Sequence, residues 1–480
     1  MNTLTDVETA LPVIDWATLS EGQRCDVLAR PRLIRDEHQL AAVRAILADV
    51  RSRGDVALRE LTLRLDGCDL KSFEVEADEF AWAASEIPSA VRAAMHNAIA
   101  RVHRFHAAQM PAGVCVDTAP GVRCEQVIRP IGRVGLYAPA GSAPLPSTVW
   151  MLAVPARIAG CTEVVLATPP RADGRVDPAI LVAAELCGVT RVLKLGGAQA
   201  IAALAYGTES VPRCDKLFGP GNAWVTAAKL EVTADPAGAA IDMPAGPSEV
   251  LVIADDTADP AFVAADLLAQ AEHGADSQVL LVSPSERLLD AVARAVAAQV
   301  TELPRREIAD AALVHARLIR VRDLAEAIEI SERYAPEHLI VQTRKPRALL
   351  PALSNAGSIF LGAWSPESVG DYCAGPNHVL PTLGFARSFS GVCVDSFVRR
   401  VNVQELSSDG LRNIGGDAAL LARAERLEAH ARAVDVRLQT ITRLAHQPLS
   451  STPCSDQAEN RLGGSGVKTH SENLVSKVPV

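Results

Sequence analysis

RVGLYA (Arg133–Ala138), STVWMLAVPARIA (Ser147–Ala159) and EVVLAT (Glu163–Thr168) follow one another in the chain, and their reading decides the fold. The first and third runs are short and apolar, as buried strands are. The run between them is long enough for a helix, with Ser147 as its N-cap and Gly160 just past its end. The alternation continues with a helix over Pro178–Cys187 stopped by Gly188, a strand over Arg191–Leu195, and a helix over Ala198–Tyr206 stopped by Gly207. A second series opens at Glu249–Ala254 (EVLVIA). It runs through a helix ending near His273, the strand Gln278–Ser283, a helix over Glu286–Val300 and the strand Arg317–Arg320. A helix from Asp323, the strand His338–Gln342, a helix near Ala348 and the strand Ser358–Leu361 complete it. Strands that are apolar throughout, each followed by a helix, predict parallel sheets buried on both faces, with right-handed crossovers placing helices on either side. The fold class read from this is α/β, with two Rossmann-like parallel-sheet units and a cleft at the carboxyl ends of their strands.

Outside the two series the chain reads as helical. Before Arg133 the helices include Glu37–Gly54 and Ser89–Phe105, and beyond Ser396 helix runs through Ala418–Arg443. From Gln447 onward the sequence is polar, rich in Ser and Gly and without periodicity, which predicts a disordered tail. The expected organisation is an N-terminal segment 1–33, a discontinuous α/β domain of 34–132 with 249–390, and a second α/β domain 133–248. A helical segment 391–446 and the tail 447–480 follow.

The length of 480 residues allows two to four domains at roughly 150 residues each. Apolar residues at 49% and charged residues at 22% suit a globular chain. A net charge of −10, no basic block and only 4% aromatic residues argue against a nucleic-acid partner. No uninterrupted apolar stretch could span a membrane, and the first basic residue is Arg24, unlike the charged start of a signal peptide. The chain is therefore expected to be soluble and cytosolic. Its ten cysteines include no C-x-x-C pair and read as buried thiols.

Neither G-x-G-x-x-G after a strand nor a phosphate-loop motif occurs. Three Gly-rich turns lie between a strand and a helix: Gly135–Pro144, Gly196–Ala200 and Phe218–Trp224. Each could hold a phosphate at a helix N-terminus, but for any one of them an ordinary tight turn is the better reading. Gln270 and His273, at i and i+3 in the last turn of one helix, could converge on a metal, or His273 could simply favour the helix dipole. Glu337 and His338 would serve one site only if the backbone is irregular where the loop enters the strand. Asp371 and His378 fall in a Gly/Pro-rich loop, Ser365–Thr382, after the last strand. Glu425 and His430 lie on a C-terminal helix, about 140° apart around it at i, i+5. Spacing alone does not assemble these remote residues into one site.

GLYAPAGSAPLPSTVWML, KLGGAQAIAALAYGTESV, FGPGNAWV, AAIDMPAGPSEVLVIAD, AQAEHG, APEHLI, GDYCAGPNHVLPT and AERLEAH occur in this order. Together they resemble the histidinol dehydrogenase family, from about Ile34 to Leu444. The resemblance implies zinc-dependent oxidation of L-histidinol through the aldehyde to L-histidine, with two NAD reduced, by a homodimer with shared active sites. It implies Gln270, His273 and Asp371 as zinc ligands, with His430 supplied by the other subunit. It also implies Glu337 and His338 as the acid/base pair, Ser248, His378 and Glu425 as further substrate contacts, and Tyr137, Gln199 and Asn222 as NAD contacts. NAD would then be held without the Gly-rich fingerprint. The tail, and Pro376 in the CAGPNH loop, depart from the pattern without touching a ligand position.

Under this reading a neutral His338, near the ordinary imidazole pKa of about 6.5, takes the alcohol proton, and Glu337 deprotonates the water that hydrates the aldehyde. The zinc orients the substrate rather than activating water. Three rivals remain. One is a dehydrogenase of the same fold acting on another alcohol, such as sulfopropanediol. The others are a zinc hydrolase built on Asp371, His273 and Glu337, and a catalytically silent binding protein.

Overall fold

The structure is a computed structural model, and it describes residues 11–31, 37–140, 143–244 and 246–446. The expected tail, 447–480, lies outside the described residues. The chain divides into two compact units, Met1–Val114 with Gln126–Val403, and Cys115–Glu125 with Gln404–Val480.

The first unit holds two parallel sheets. One has six strands in the order Val13–Asp15, Arg317–Arg320, Gln278–Ser283, Glu249–Ala254, His338–Gln342, Ser358–Leu361. The other has five, in the order Arg191–Lys194, Glu163–Thr168, Arg133–Tyr137, Lys216–Phe218, Ala240–Ile241. Burial on both faces follows from the side-chain alternation of a strand. Val250 and Val252 enter one core, with Val263 and Leu267 of the helix Pro260–Ala271. Leu251 and Ile253 enter another, with Ile330 and Tyr334 of the helix Leu324–Tyr334.

Several expectations need correction. The helices of residues 37–107 pack on the five-stranded sheet, and the last of them also meets Asn377 and Val379. Val43, Val50 and Leu58 share a core with Val165 and Leu193, and Met95 and Val102 share one with Leu136. The helix after Tyr137 begins at Pro146 with Leu145 in the cap position, so Ser147 does not cap it. The flanking regions are not wholly helical. Val114–Ala119, Val122–Pro130 and Val398–Leu406 form a three-stranded sheet. Their residues are mostly exposed, so backbone pairing makes them strands and no apolar run marked them. The strands Val13–Asp15, Lys216–Phe218 and Ala240–Ile241 are too short to show a period.

In the second unit the expected single C-terminal helix is two, Ser408–Ala424 and Glu428–Ala445. Arg426 breaks them apart with φ of +63°. The pair closes on Gly415, where a side chain would press on Val434. The cysteines among the described residues are all free, but only Cys68, Cys187 and Cys214 are buried as expected, while Cys25 and Cys115 are exposed; no helix among those residues is long and apolar enough to cross a membrane.

Candidate functional site

A cavity of about 1320 Å³ opens within the first unit. Tyr137, Gln199 and Asn222 line one side, at the carboxyl ends of the five-stranded sheet. Ser248 and His273 line the other, just ahead of the strands that begin at Glu249 and Gln278. The cleft therefore faces the amino ends of the six-stranded sheet, where the carboxyl ends had been expected.

On the five-stranded side Tyr137 Oη accepts from the Gly197 N–H at 3.1 Å. Gln199 Nε2 donates to Asp66 Oδ2 at 3.2 Å, while Gln199 Oε1 is buried without a partner. Asn222 caps the helix Ala223–Ala234, its Oδ1 accepting from Trp224 N at 3.1 Å and Val225 N at 3.2 Å.

Glu337 and His338 stand at the entry of a strand, and the irregularity that brings both to one place is visible. The helix before them ends at Ala335 in the left-handed region, φ +53°. The strand begins only at His338, so Glu337 escapes the alternation. Its Oε2 accepts from the Glu249 N–H at 2.9 Å and lies 3.7 Å from His338 Nδ1. His338 Nδ1 is 3.2 Å from the Glu249 carbonyl oxygen, which can only accept, so Nδ1 bears the hydrogen. Nε2 is buried without a hydrogen-bond partner, 3.7 Å from Asp371 Oδ1.

The segment Glu367–Tyr372 is a short helix rather than loop, so Glu367 and Asp371, at i and i+4, share a face. Ligand atoms of His273, Glu367 and Asp371 lie within 4.8 Å of one another. His273 sits past the end of its helix, which closes at Ala271 with Glu272 as cap, and not in the last turn. Gln270 is buried beside Glu367. One of its amide atoms lies 2.6 Å from Glu367 Oε1 and 3.1 Å from His338 Nδ1. His378 Nδ1 donates to the Asp371 carbonyl oxygen at 2.8 Å. One imidazole and two carboxylates form a donor set suited to zinc. Glu367 was missed in the sequence because its segment read as loop; the i, i+4 spacing to Asp371 was the available signal. Glu425 and His430 belong to the second unit and are exposed. They flank the break between its helices rather than sharing one helix.

The electrostatics are strongly perturbed. Burial pushes the Glu337 carboxyl up to about 8, against the pull of His338. Burial also raises Glu367 well above the usual carboxylate range. For His338 burial works downward, but the carboxylates of Glu367, Glu337 and Asp371 outweigh it and hold the imidazole well above 6.5. This departs from the neutral, unperturbed His338 expected above. Burial opposes ionisation of Asp371, yet His338, His378 and His273 together keep it below its ordinary value. Desolvation lowers His378.

The profile of the histidinol dehydrogenase family matches residues 30–438. A histidinol dehydrogenase of Xanthomonas euvesicatoria pv. vesicatoria is 60% identical over 428 residues, 89% of this chain and 99% of that protein. One of Xylella fastidiosa (strain 9a5c) is 57% identical, over 90% of this chain and 100% of its own length. The crystal structure of histidinol dehydrogenase from Elizabethkingia anophelis superposes with a TM-score of 0.86 at 43% identity, covering 90% of this chain and 99% of that one. With its profile matched across most of the length, the chain belongs to the histidinol dehydrogenase family.

Proposed function

We propose that this chain oxidises L-histidinol to L-histidine through L-histidinaldehyde, reducing two NAD per turnover with one zinc ion per subunit. The observation that carries the reading is His338. Its Nδ1–H is engaged by the Glu249 carbonyl and its buried Nε2 has no hydrogen-bond partner, beside the His273, Glu367 and Asp371 group, of which His273 lines the cavity. Gln270, His273 and Asp371 would hold the zinc. Tyr137, Gln199 and Asn222 would meet NAD, for which the cavity volume and the unpartnered Gln199 Oε1 leave room. When bound, zinc fixes the orientation of the substrate and NAD accepts hydride in each oxidation.

His338 Nε2 takes the carbinol O–H proton as the hydride departs. Glu337 takes a proton from the water that adds to the aldehyde, and His338 Nε2 takes the proton of the resulting hydrate in the second oxidation. Both groups titrate high, so their basic forms are reached at alkaline pH. Ser248 and His378 would contact substrate. Glu425 and His430 would complete the site of a partner subunit in a homodimer, which their exposure on the second unit permits. In this reading 133–248 is the NAD side and the enzyme works in the cytoplasm.

The test is NADH formation from L-histidinol and NAD, before and after chelation. Two NADH per histidinol, lost on chelation and regained with zinc, is the expected result. Folded, zinc-loaded protein that makes no NADH from histidinol would refute the substrate and favour another alcohol, such as sulfopropanediol.

A further inference from the structure

Arg30 lies in the segment expected to be a mere N-terminal lead. It makes a two-pronged ion pair with Glu249, Nε to Oε1 at 2.5 Å and Nη2 to Oε2 at 2.9 Å. The Glu249 side chain is 3% exposed and that of Arg30 18%. The guanidinium also stacks 4.0 Å above the ring of Tyr334 and donates to the Tyr334 carbonyl at 2.8 Å. Glu249 Oε1 accepts from the Leu383 N–H at 2.7 Å.

Two further observations give this pair a role. First, the backbone of Glu249 is what both acid/base residues rest on, its N–H holding Glu337 Oε2 and its C=O holding His338 Nδ1. Second, three non-glycine residues among those described have positive φ, and two of them, Ala335 and Leu383, adjoin the pair's contacts. Such backbone is strained and persists only where its surroundings over-determine it. Ala335 is the residue whose turn brings Glu337 and His338 together.

We infer that Arg30 and Glu249 are positioning residues that clamp the two strained segments and the Glu249 peptide, so fixing His338 with hydrogen on Nδ1 and Nε2 as the only proton acceptor. Neither lines the cavity. The inference rests on Glu337 and His338 being the acid/base pair.

The experiment uses the full-length, zinc-loaded protein and steady-state kinetics with histidinol and NAD. Arg30→Met matches the length of the arginine stem and removes the charge. The expected result is a fall in kcat of about 10- to 100-fold, the effect of a displacement near 1 Å, with both KM values within about twofold. Arg30→Lys, which keeps the charge but not the fork, restores part of kcat. Should the stranded Glu249 carboxylate unfold Arg30→Met, the double variant Arg30→Met/Glu249→Gln leaves no buried charge unpaired and is expected to show the same loss of kcat. Any of these folded variants lacking the arginine with kcat within about twofold of wild type overturns the inference. His338→Gln is the control for the underlying reading. If it keeps kcat, the acid/base assignment fails; if it loses kcat while Arg30→Met does not, only the positioning role fails.

Discussion

Replacing Glu337 with glutamine should separate the two oxidations. Glu337 is 6% exposed, and burial pushes its carboxyl from 4.5 up to about 8. Holding it ionised in place is therefore harder by about 5 kcal/mol, and at pH 7 only about a tenth of it is ionised. Glutamine has the same shape and keeps an oxygen for the Glu249 N–H, so the site should stay intact. What is lost is a base worth about 10²–10⁴-fold. NADH formation from L-histidinol is expected to stop near one equivalent, with aldehyde accumulating, and oxidation of added L-histidinaldehyde should fall by about that factor. The pH profile is a second readout. In the wild type the rate from aldehyde should rise with pH as Glu337 and His338 reach their basic forms, and in the variant the part of that rise centred near 8 should be lost. Stability should respond with a defined sign. A carboxyl raised on folding stabilises while protonated, so this contribution is full below about 4.5 and lost as pH rises through about 8. The variant should lack that loss in thermal unfolding. An undiminished second oxidation in folded Glu337→Gln would refute water activation by this residue.

Three other outcomes are expected. His273→Asn removes an imidazole from the His273, Glu367 and Asp371 group, so zinc affinity measured by chelator competition should fall by more than the 10–100-fold typical of groups that only orient ligands. Mixing His430→Asn with His338→Gln subunits, under conditions that exchange them, should restore activity in heterodimers; no return of activity would sink the shared-site proposal. Asn222→Ala removes the cap of the helix Ala223–Ala234. It should cost about 0.5–2 kcal/mol in thermal unfolding and raise KM for NAD more than KM for histidinol.

The parallel sheets were legible because burial on both faces writes itself as an apolar run. Glu249–Ala254 and Gln278–Ser283 are buried at every position, and both ranges were read correctly. The strand Val398–Leu406, exposed at all but its first residue, left no such mark. The site divides along the same line. Local motifs named Glu337, His338 and Asp371, but the residues that set their protonation and aim are remote in sequence. Arg30 and Glu249 are 219 positions apart, a separation that no spacing rule reaches. The cleft's placement also depends on which strand ends meet, which periodicity does not encode.

The strand Val13–Asp15 closes the edge of the six-stranded sheet against Arg317–Arg320, and Asp15 meets Arg320 across 305 positions of chain. At about 5–20 residues per second, synthesis delivers the partner roughly 15–60 s after the strand has been made. The five-stranded sheet draws only on Arg133–Ile241 and is complete in the chain long before then. During translation the nascent protein therefore carries a finished sheet beside an unpaired N-terminal strand, and Arg30 waits for Glu249, Tyr334 and Leu383 in turn. The cradle of the acid/base pair is completed only after the five-stranded sheet, once Leu383 has been made.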